Sequence, residues 1–149
     1  MEPTTPPAAD PEAPAFLDAA FLDLLDAIDV PALVFLRGGR VAAVNRAMAR
    51  LSGPPAAGDT MDGIIDRYRV RRADGSPIVR SDLPYVRALR GEVVLHGERF
   101  ELTFDDGTVY RTLITSTPVV VDGSIVAALS VWHDFGAYVR DLAAGSQER

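Results

Sequence analysis

The chain of 149 residues contains no cysteine, no lysine and only two histidines. Without cysteine it forms no disulfide, has no thiolate nucleophile and offers no thiolate ligand to a metal ion. Long apolar runs are also missing, because the longest, residues 124–132, falls well short of the ~18 residues that a membrane-spanning helix needs. The N-terminus has neither the basic nor the apolar region of a secretory signal. We therefore expect a cytoplasmic protein that does not associate with membranes.

Positive charge is absent from the start of the sequence. The first 30 residues carry seven acidic side chains and no basic one, whereas the rest carries 14 acidic side chains and 15 basic ones, all of them arginine. The net charge of −6 therefore belongs to the N-terminal part. The nearly neutral remainder lacks the broad basic surface that nucleic-acid binding requires, so we expect no nucleic-acid partner.

The N-terminal third predicts a disordered leader, then a helix, then a hairpin. Residues 1–14 contain five prolines and predict a disordered leader, because such a composition buries too little apolar surface to offset its ordering entropy. Residues 15–30 predict an amphipathic helix that Pro31 ends. Apolar runs at 32–36 and 41–44, separated by two glycines, then predict a hairpin. Asn45 stands at the N-cap position of an expected short helix over 46–51.

The remainder predicts further short helices and a strand-rich end. Helices are expected over 59–66 and over 81–90, the second capped by Ser81 or Asp82, and residues 67–72 alternate in a strand-like way. Apolar strands at 93–104, 109–121 and 124–133 are joined by Asp-Asp-Gly and Asp-Gly, which are strong hairpin signals. The sum is an α+β fold: a five-stranded antiparallel sheet, helices inserted between strands 2 and 3, and an N-terminal amphipathic helix.

Three sequence pieces carry a family likeness. Residues 25–53 hold the first hairpin and the asparagine that ends its second strand; Asp-Gly-Ser-Pro at 74–77 precedes the Leu-Pro segment at 83–92; and residues 117–134 form a closing hairpin that ends in aspartate. In this order and spacing they resemble a bacterial PAS domain over residues 16–140. The resemblance implies a domain at 31–136, and the sequence predicts a short helix over 137–144 in the tail at 137–149. The closing Asp-Phe-Gly departs from the family's Asp-Ile-Thr.

The resemblance also implies a pocket between the sheet and the central helices. The resemblance implies that the position two before Asp134 faces inward, and because strand residues alternate between faces, Ser130 and Trp132 are then expected on the pocket side. Trp132 then either contacts a ligand or fills the core. The expected pocket residues are Val34, Asn45, Met48, Leu89, Ser130 and Trp132, and Asp134 with the tail helix is expected to carry the output signal.

The opposite face of the last strand is apolar as well, so some structure must cover it. The N-terminal helix covers it either within one chain or across a homodimer, and both arrangements remain open. The expected dimer interface comprises Phe16, Phe21, Leu24, Leu25, Leu129 and Val131.

The ligand itself is not identified by the sequence. Haem is not expected, because haem-binding relatives usually take their axial ligand from the helix at 81–90, which has no histidine. Covalent flavin photochemistry of the light-oxygen-voltage type, and the chromophore of photoactive yellow proteins, both require a cysteine. No metal ligands are predicted, and non-covalent flavin stays open.

These observations favour a non-catalytic sensory or protein-interaction module of bacterial signal transduction. It would bind a small ligand or an effector protein and signal through its flanking helices. One alternative is a small-pocket α+β enzyme that pairs Asp66 or Glu101 with a histidine. His133 and Asp134 form no dyad, since neighbours on a regular strand point to opposite faces. The other alternative is a dimerisation module without a ligand.

Overall fold

The computed structural model describes residues 14–134. The predicted leader, apart from Pro14, and the predicted tail helix at 137–144 lie outside these residues. The described elements, in chain order, are α1 (Ala19–Ala27), β1 (Ala32–Leu36), β2 (Val41–Val44), α2 (Arg46–Ala49), α3 (Met61–Arg67), β3 (Arg71–Arg72), a 3-10 turn (Arg80–Asp82), α4 (Pro84–Leu89), β4 (Val94–Thr103), β5 (Val109–Val121) and β6 (Ser124–Asp134).

The strands form one antiparallel sheet in the order β2-β1-β6-β5-β4-β3. The sequence therefore predicted the α+β class, the three long strands and the helices between the second and third strands correctly. The Asp-Gly turn between β5 and β6 forms as expected, with φ of 51° at Asp122 and 80° at Gly123, the left-handed values that a tight hairpin turn requires. The sheet has six strands rather than five because β3 adds a two-residue edge.

Two helix starts differ from the prediction. The first helix begins at Ala19 rather than at residue 15, because the Asp18 carboxylate accepts a hydrogen bond from Phe21 N at 2.9 Å and caps it there. Ser81 and Asp82 do not cap α4. They lie in the preceding 3-10 turn, and Leu83 takes the N-cap position without any side-chain hydrogen bond.

The expected strand at 67–72 is mostly absent. Arg67 is still helical, and Arg69 adopts a left-handed conformation with φ of 48°. Val70 N donates to Ile65 O at 3.0 Å, which closes the turn that ends α3. Only Arg71 and Arg72 then pair with β4.

Apolar clusters lie on both faces of the sheet. The inner cluster, between the sheet and the segment that carries α2, α3 and α4, contains Leu33, Phe35, Val41, Met48, Ile64, Tyr68, Leu83, Phe100, Leu102, Phe104 and Trp132. The outer cluster has Leu25 of α1, Ala32, Val34 and Ala127 at its centre, with Leu129, Val131 and several other partly buried residues around them. The helix α1 therefore covers the outer face of its own sheet.

Candidate ligand cavity

A cavity lies within the inner cluster, between the sheet, α3 and the start of α4. It is lined by Phe35, Met61, Ile64, Ile65, Val70, Leu83, Pro84, Tyr85, Phe100, Leu102, Ile114, Ser130 and Trp132. The volume open to the centres of water-sized molecules is about 30 Å³. One water needs roughly 10–15 Å³ by this measure, so the space is two to three times that of a single water.

The cavity wall is almost wholly hydrocarbon. Ser130 contributes a hydroxyl, but that hydroxyl is already engaged with the Ser116 hydroxyl, 2.6 Å away and also buried. No acidic, basic or histidine side chain lines the wall. The cavity therefore offers little with which to hold water or a charged group.

The rim of the cavity is formed by the lining residues that remain partly exposed: Met61, Ile65, Val70, Tyr85 and Ile114. The ring of Tyr85 packs on Phe35 with ring centroids 4.5 Å apart. Its hydroxyl lies over Gly39, where an added Cβ would come within 2.8 Å of that oxygen. Burial, and then the negative charge of Asp62, raises the pKa of Tyr85, and Arg80 lowers it. Tyr85 therefore stays a neutral phenol beside the opening.

An ion pair bridges the two sides of this rim. Arg80 Nη1, in the turn before α4, lies 2.6 Å from Asp62 Oδ1 in α3. Both side chains are exposed, so the pair contributes ~0–1 kcal/mol to the free energy of unfolding. Its position matters more than its strength, because it links the two segments that flank the opening.

Of the six expected pocket residues, the structure places Ser130 and Trp132 in the cavity wall. Val34 is a correction: it lies in the outer cluster, because Leu33 and Phe35 take the inner-facing positions of β1. Met48 is buried in the inner cluster but does not reach the cavity, and Leu89, at the end of α4, lies outside the lining as well.

Asn45 is also absent from the cavity wall, because its amide is used in joining backbone segments. Its Oδ1 accepts from Met48 N at 2.9 Å, as the predicted N-cap of α2, and from Ala32 N at 3.0 Å. Its Nδ2 lies within hydrogen-bonding distance of three carbonyl oxygens near the end of α1, those of Leu25, Ile28 and Val30, at 3.2, 3.0 and 2.9 Å. Asn45 is therefore a buried clamp between α1, β1 and α2.

Sequence reasoning missed the helical side of the cavity. Met61, Ile64 and Ile65 recur at three- and four-residue spacing in α3, which is the pattern of a buried helix face. The Leu-Pro-Tyr run at 83–85 adds the opposite side. Both signals were present in the sequence, but the choice between core and pocket depends on how the helices meet the sheet.

Most of the expected interface residues pack against other residues of the same chain. Leu25 is 3% exposed, and Phe16, Phe21, Leu129 and Val131 pack around the outer cluster. Leu24 is different, because it remains 71% exposed. Asp134 is the last residue of β6 and is paired in register with Thr112.

The carboxylates and histidines considered as candidate acids and bases lie outside the cavity wall. Glu101 pairs with Arg71 at 2.9 Å and Arg111 at 3.2 Å, and hydrogen bonds from these two guanidinium groups lower its pKa. Asp66 and His96 are exposed, and His133 contacts Thr115 Oγ1 through Nε2 at 3.1 Å. Within residues 14–134, no group of three or more His, Asp or Glu side chains is arranged to hold a metal ion. None of the helices described there is long and apolar enough to cross a membrane.

Comparison with known proteins identifies the fold. No family model and no curated protein matches the sequence. Among solved structures, the PAS domain of BvgS from Bordetella pertussis shares 16% identity with a TM-score of 0.50, covering 86% of this chain and 96% of that one. A PAS domain from Colwellia psychrerythraea shares 14% identity, with a TM-score of 0.56 and coverages of 78% and 94%. A LOV protein from Rhodobacter sphaeroides shares 13% identity, with a TM-score of 0.59 and coverages of 78% and 65%.

Proposed function

We propose that this chain, which has the PAS fold, is a non-catalytic sensory module of signal transduction in which β6 passes changes in the inner cavity to α1. The observation that carries the proposal is the position of β6. Its Ser130 and Trp132 line the cavity, whereas Leu129 and Val131 lie in the outer cluster that α1 covers. One strand therefore has the cavity on one face and the N-terminal helix on the other.

The backbone around Trp132 strengthens this connection. Trp132 N donates to Pro31 O at 2.8 Å, in the short link between α1 and β1. The same link is held by Asn45, which reaches the carbonyls of Ile28 and Val30. Because packed interiors transmit displacement rather than absorb it, a shift of Trp132 is expected to move the C-terminal end of α1.

The chemistry of the wall supports a non-catalytic role. An enzyme site needs acids, bases or nucleophiles that converge on a substrate, and the cavity wall has no carboxylate or imidazole. Glu98, a largely buried carboxylate of β4, is neutralised by Arg72 and Arg87 and lies outside the wall.

Amide hydrogen exchange tests the proposed connection. Trp132→Phe loosens the cavity wall at β6, whereas Tyr68→Phe removes a partly buried hydrogen bond to Gly53 O at a residue of the same inner cluster that lies outside β6 and outside the cavity lining. Both variants are expected to be less stable, but only Trp132→Phe should accelerate exchange in α1 beyond the change in global stability. Equal effects of both variants on α1, or no effect of Trp132→Phe, would contradict the proposal.

The exposed side of α1 favours a second copy of the chain as a partner in signalling. Leu24 is 71% exposed on a helix whose opposite side is already packed. An isologous contact would place Leu24 against its counterpart in the second copy. Native mass spectrometry should find a dimer that Leu24→Glu converts to a monomer. A wild-type protein that stays monomeric at high concentration would exclude this arrangement.

A further inference from the structure

The outer face of the sheet has two halves of different character. The half formed mainly by β1 and β6 is apolar and is covered by α1. The half formed by β3, β4 and the start of β5 carries charged side chains, and we define its basic patch as Arg69, Arg71, Arg99 and Arg111. We propose that the basic patch is a docking surface for the acidic N-terminal segment of this same chain, residues 1–13. This inference goes beyond the proposed function, because the patch lies apart from the cavity.

Alternation along the strands places the basic patch on the outer face. The residues on either side of Glu101 in β4 belong to the inner cluster, so Glu101 and Arg99 point to the opposite side. Arg71 and Arg111 contact Glu101 from the neighbouring strands, at 2.9 and 3.2 Å. Arg69 lines a shallow surface groove at the end of β4. Four guanidinium groups therefore surround a single carboxylate.

The positive charge of the basic patch is only partly neutralised. Asp105, which lines the groove with Arg69, is paired with Arg67 at 3.1 Å. Arg69 itself forms no ion pair with any residue between 14 and 134. The side chains of Arg71 and Arg111 remain 73% and 70% exposed despite their contacts. The basic patch is therefore a positively charged surface that no described element covers.

Residues 1–13 carry the complementary charge. They contain Glu2, Asp10 and Glu12 and no basic side chain. Apart from Met1 and four prolines, their apolar residues are all alanines. Such a segment has little apolar surface to bury, so its binding must depend on charge.

The segment also starts on the correct side of the sheet and is long enough. Phe16 packs against the outer cluster, and Leu17 N donates to Pro14 O at 3.0 Å just before it. Six strands spaced ~4.8 Å apart make a sheet about 24 Å wide, whereas residues 1–13 span up to ~43 Å when extended. The segment can therefore reach the basic patch from its attachment point.

The covalent link favours this occupant over a free acidic partner. Exposed ion pairs are individually weak and are screened by salt. A free acidic peptide would therefore bind loosely. A tethered segment is held near the patch at an effective concentration of about millimolar, so weak contacts are enough to dock it. The docked segment shields the basic patch from other anionic molecules.

The absence of cysteine allows the segment to be labelled at a single site. Ala9→Cys, next to Asp10, accepts a nitroxide spin label that speeds the relaxation of nearby amide protons in NMR spectra of the full chain. We expect this enhancement at Glu101 and Arg111 and none at Ala88 of α4, on the opposite face. Raising the salt to about 1 M, where the screening length is ~3 Å, should abolish it.

Charge removal from the patch provides the test variant and its control. Arg69→Gln/Arg99→Gln removes two charges of the patch and keeps both partners of Glu101, and the enhancement should fall at least about twofold. Arg50→Gln/Arg90→Gln removes the same charge from exposed residues that end α2 and α4 on the opposite face. This control should leave the enhancement unchanged.

Neutralising the segment gives a second variant that changes no residue of the described fold. Asp10→Asn/Glu12→Gln should also reduce the enhancement. Three results would overturn the proposal: no enhancement at the basic patch, equal enhancement in the patch variant and its control, or enhancement only in a mixture that carries label and isotope on different copies. The last result would place the segment of a second copy on the patch. None of these outcomes depends on the response of α1 to Trp132→Phe, so the proposed function is tested separately.

Discussion

At the scale of single residues, Asn45 joins more backbone segments than any other expected pocket residue does. It is 1% exposed and bonded to the backbone of α1, β1 and α2. Asn45→Ala removes a helix cap and leaves buried carbonyl and amide groups without partners, so we expect a loss of roughly 2–4 kcal/mol in the free energy of unfolding, measured in urea.

Thr60→Ala is the matched control for Asn45→Ala. Thr60 caps α3 through one bond to Gly63 N at 3.1 Å, at an exposed site. Its loss should cost about 1 kcal/mol. If the two substitutions prove equally costly, Asn45 is only a helix cap and not a clamp on α1.

The second residue-scale prediction concerns pH. Burial lowers the pKa of His133 below its usual 6.5, so the unfolded chain takes up a proton at higher pH than the folded protein does. The stability that comes from the neutral imidazole is therefore fully present above about pH 6.5 and is lost as the pH falls through the lower folded pKa. Urea titrations between pH 7 and pH 5 should show a decline that His133→Gln reduces. The exposed His96 gives the control, and an equal reduction in His96→Gln would contradict the assignment.

Residue positions were only partly predictable from the sequence. The inward placement of Trp132 and Ser130 followed from the family resemblance together with alternation along β6, and the cap at Asn45 followed from its place after a strand. Val34 was misplaced because Ala32, Leu33, Val34 and Phe35 are all at most 1% exposed, so the run carries no polar position that marks a face.

At the scale of elements, the strands were predicted better than the helices. The long strands are bounded by Asp-Gly turns that allow few alternatives. The segment after Arg67 has no glycine or asparagine to indicate a turn. Arg69 nevertheless adopts the left-handed φ of 48° that ends α3.

Arg69 therefore provides an element-scale prediction. Arg69→Gly relieves the left-handed conformation and should stabilise the protein by up to about 1 kcal/mol. Arg50→Gly is the control, because Arg50 ends α2 at a φ of −82°, where glycine adds only unfolded-state entropy and should destabilise. The two changes are compared by thermal unfolding, and a loss of stability in Arg69→Gly would contradict the argument.

The packing of α1 supplies a further comparison. Leu25 is 3% exposed and Leu24, its neighbour, is 71% exposed. Leu25→Ala should cost roughly 2–4 kcal/mol of unfolding free energy, since it leaves a cavity in the outer cluster. Leu24→Ala should change the unfolding free energy of the monomer by less than about 0.5 kcal/mol. Similar costs for both would mean that α1 does not pack on its own sheet in solution.

At the scale of the whole molecule, two apolar clusters share one strand. The sheet is covered on its inner face by the helical segment and on its outer face by α1. The fold and the two-faced character of β6 could be predicted from the sequence, because they depend on strand order and alternation. The small, apolar character of the cavity could not, because it depends on how closely side chains from α3, α4 and the sheet approach each other.

Tryptophan emission tests the central claim most directly, because coupling between two sites is reciprocal. Leu25→Ala disturbs α1 from the outer side, and Trp132 reports from the cavity on the inner side. Under conditions where far-UV circular dichroism shows both variants fully folded, the account predicts that Leu25→Ala changes the emission of Trp132 and Leu24→Ala does not. Emission in Leu25→Ala identical to that of the wild type would contradict the claim that β6 connects the cavity to α1.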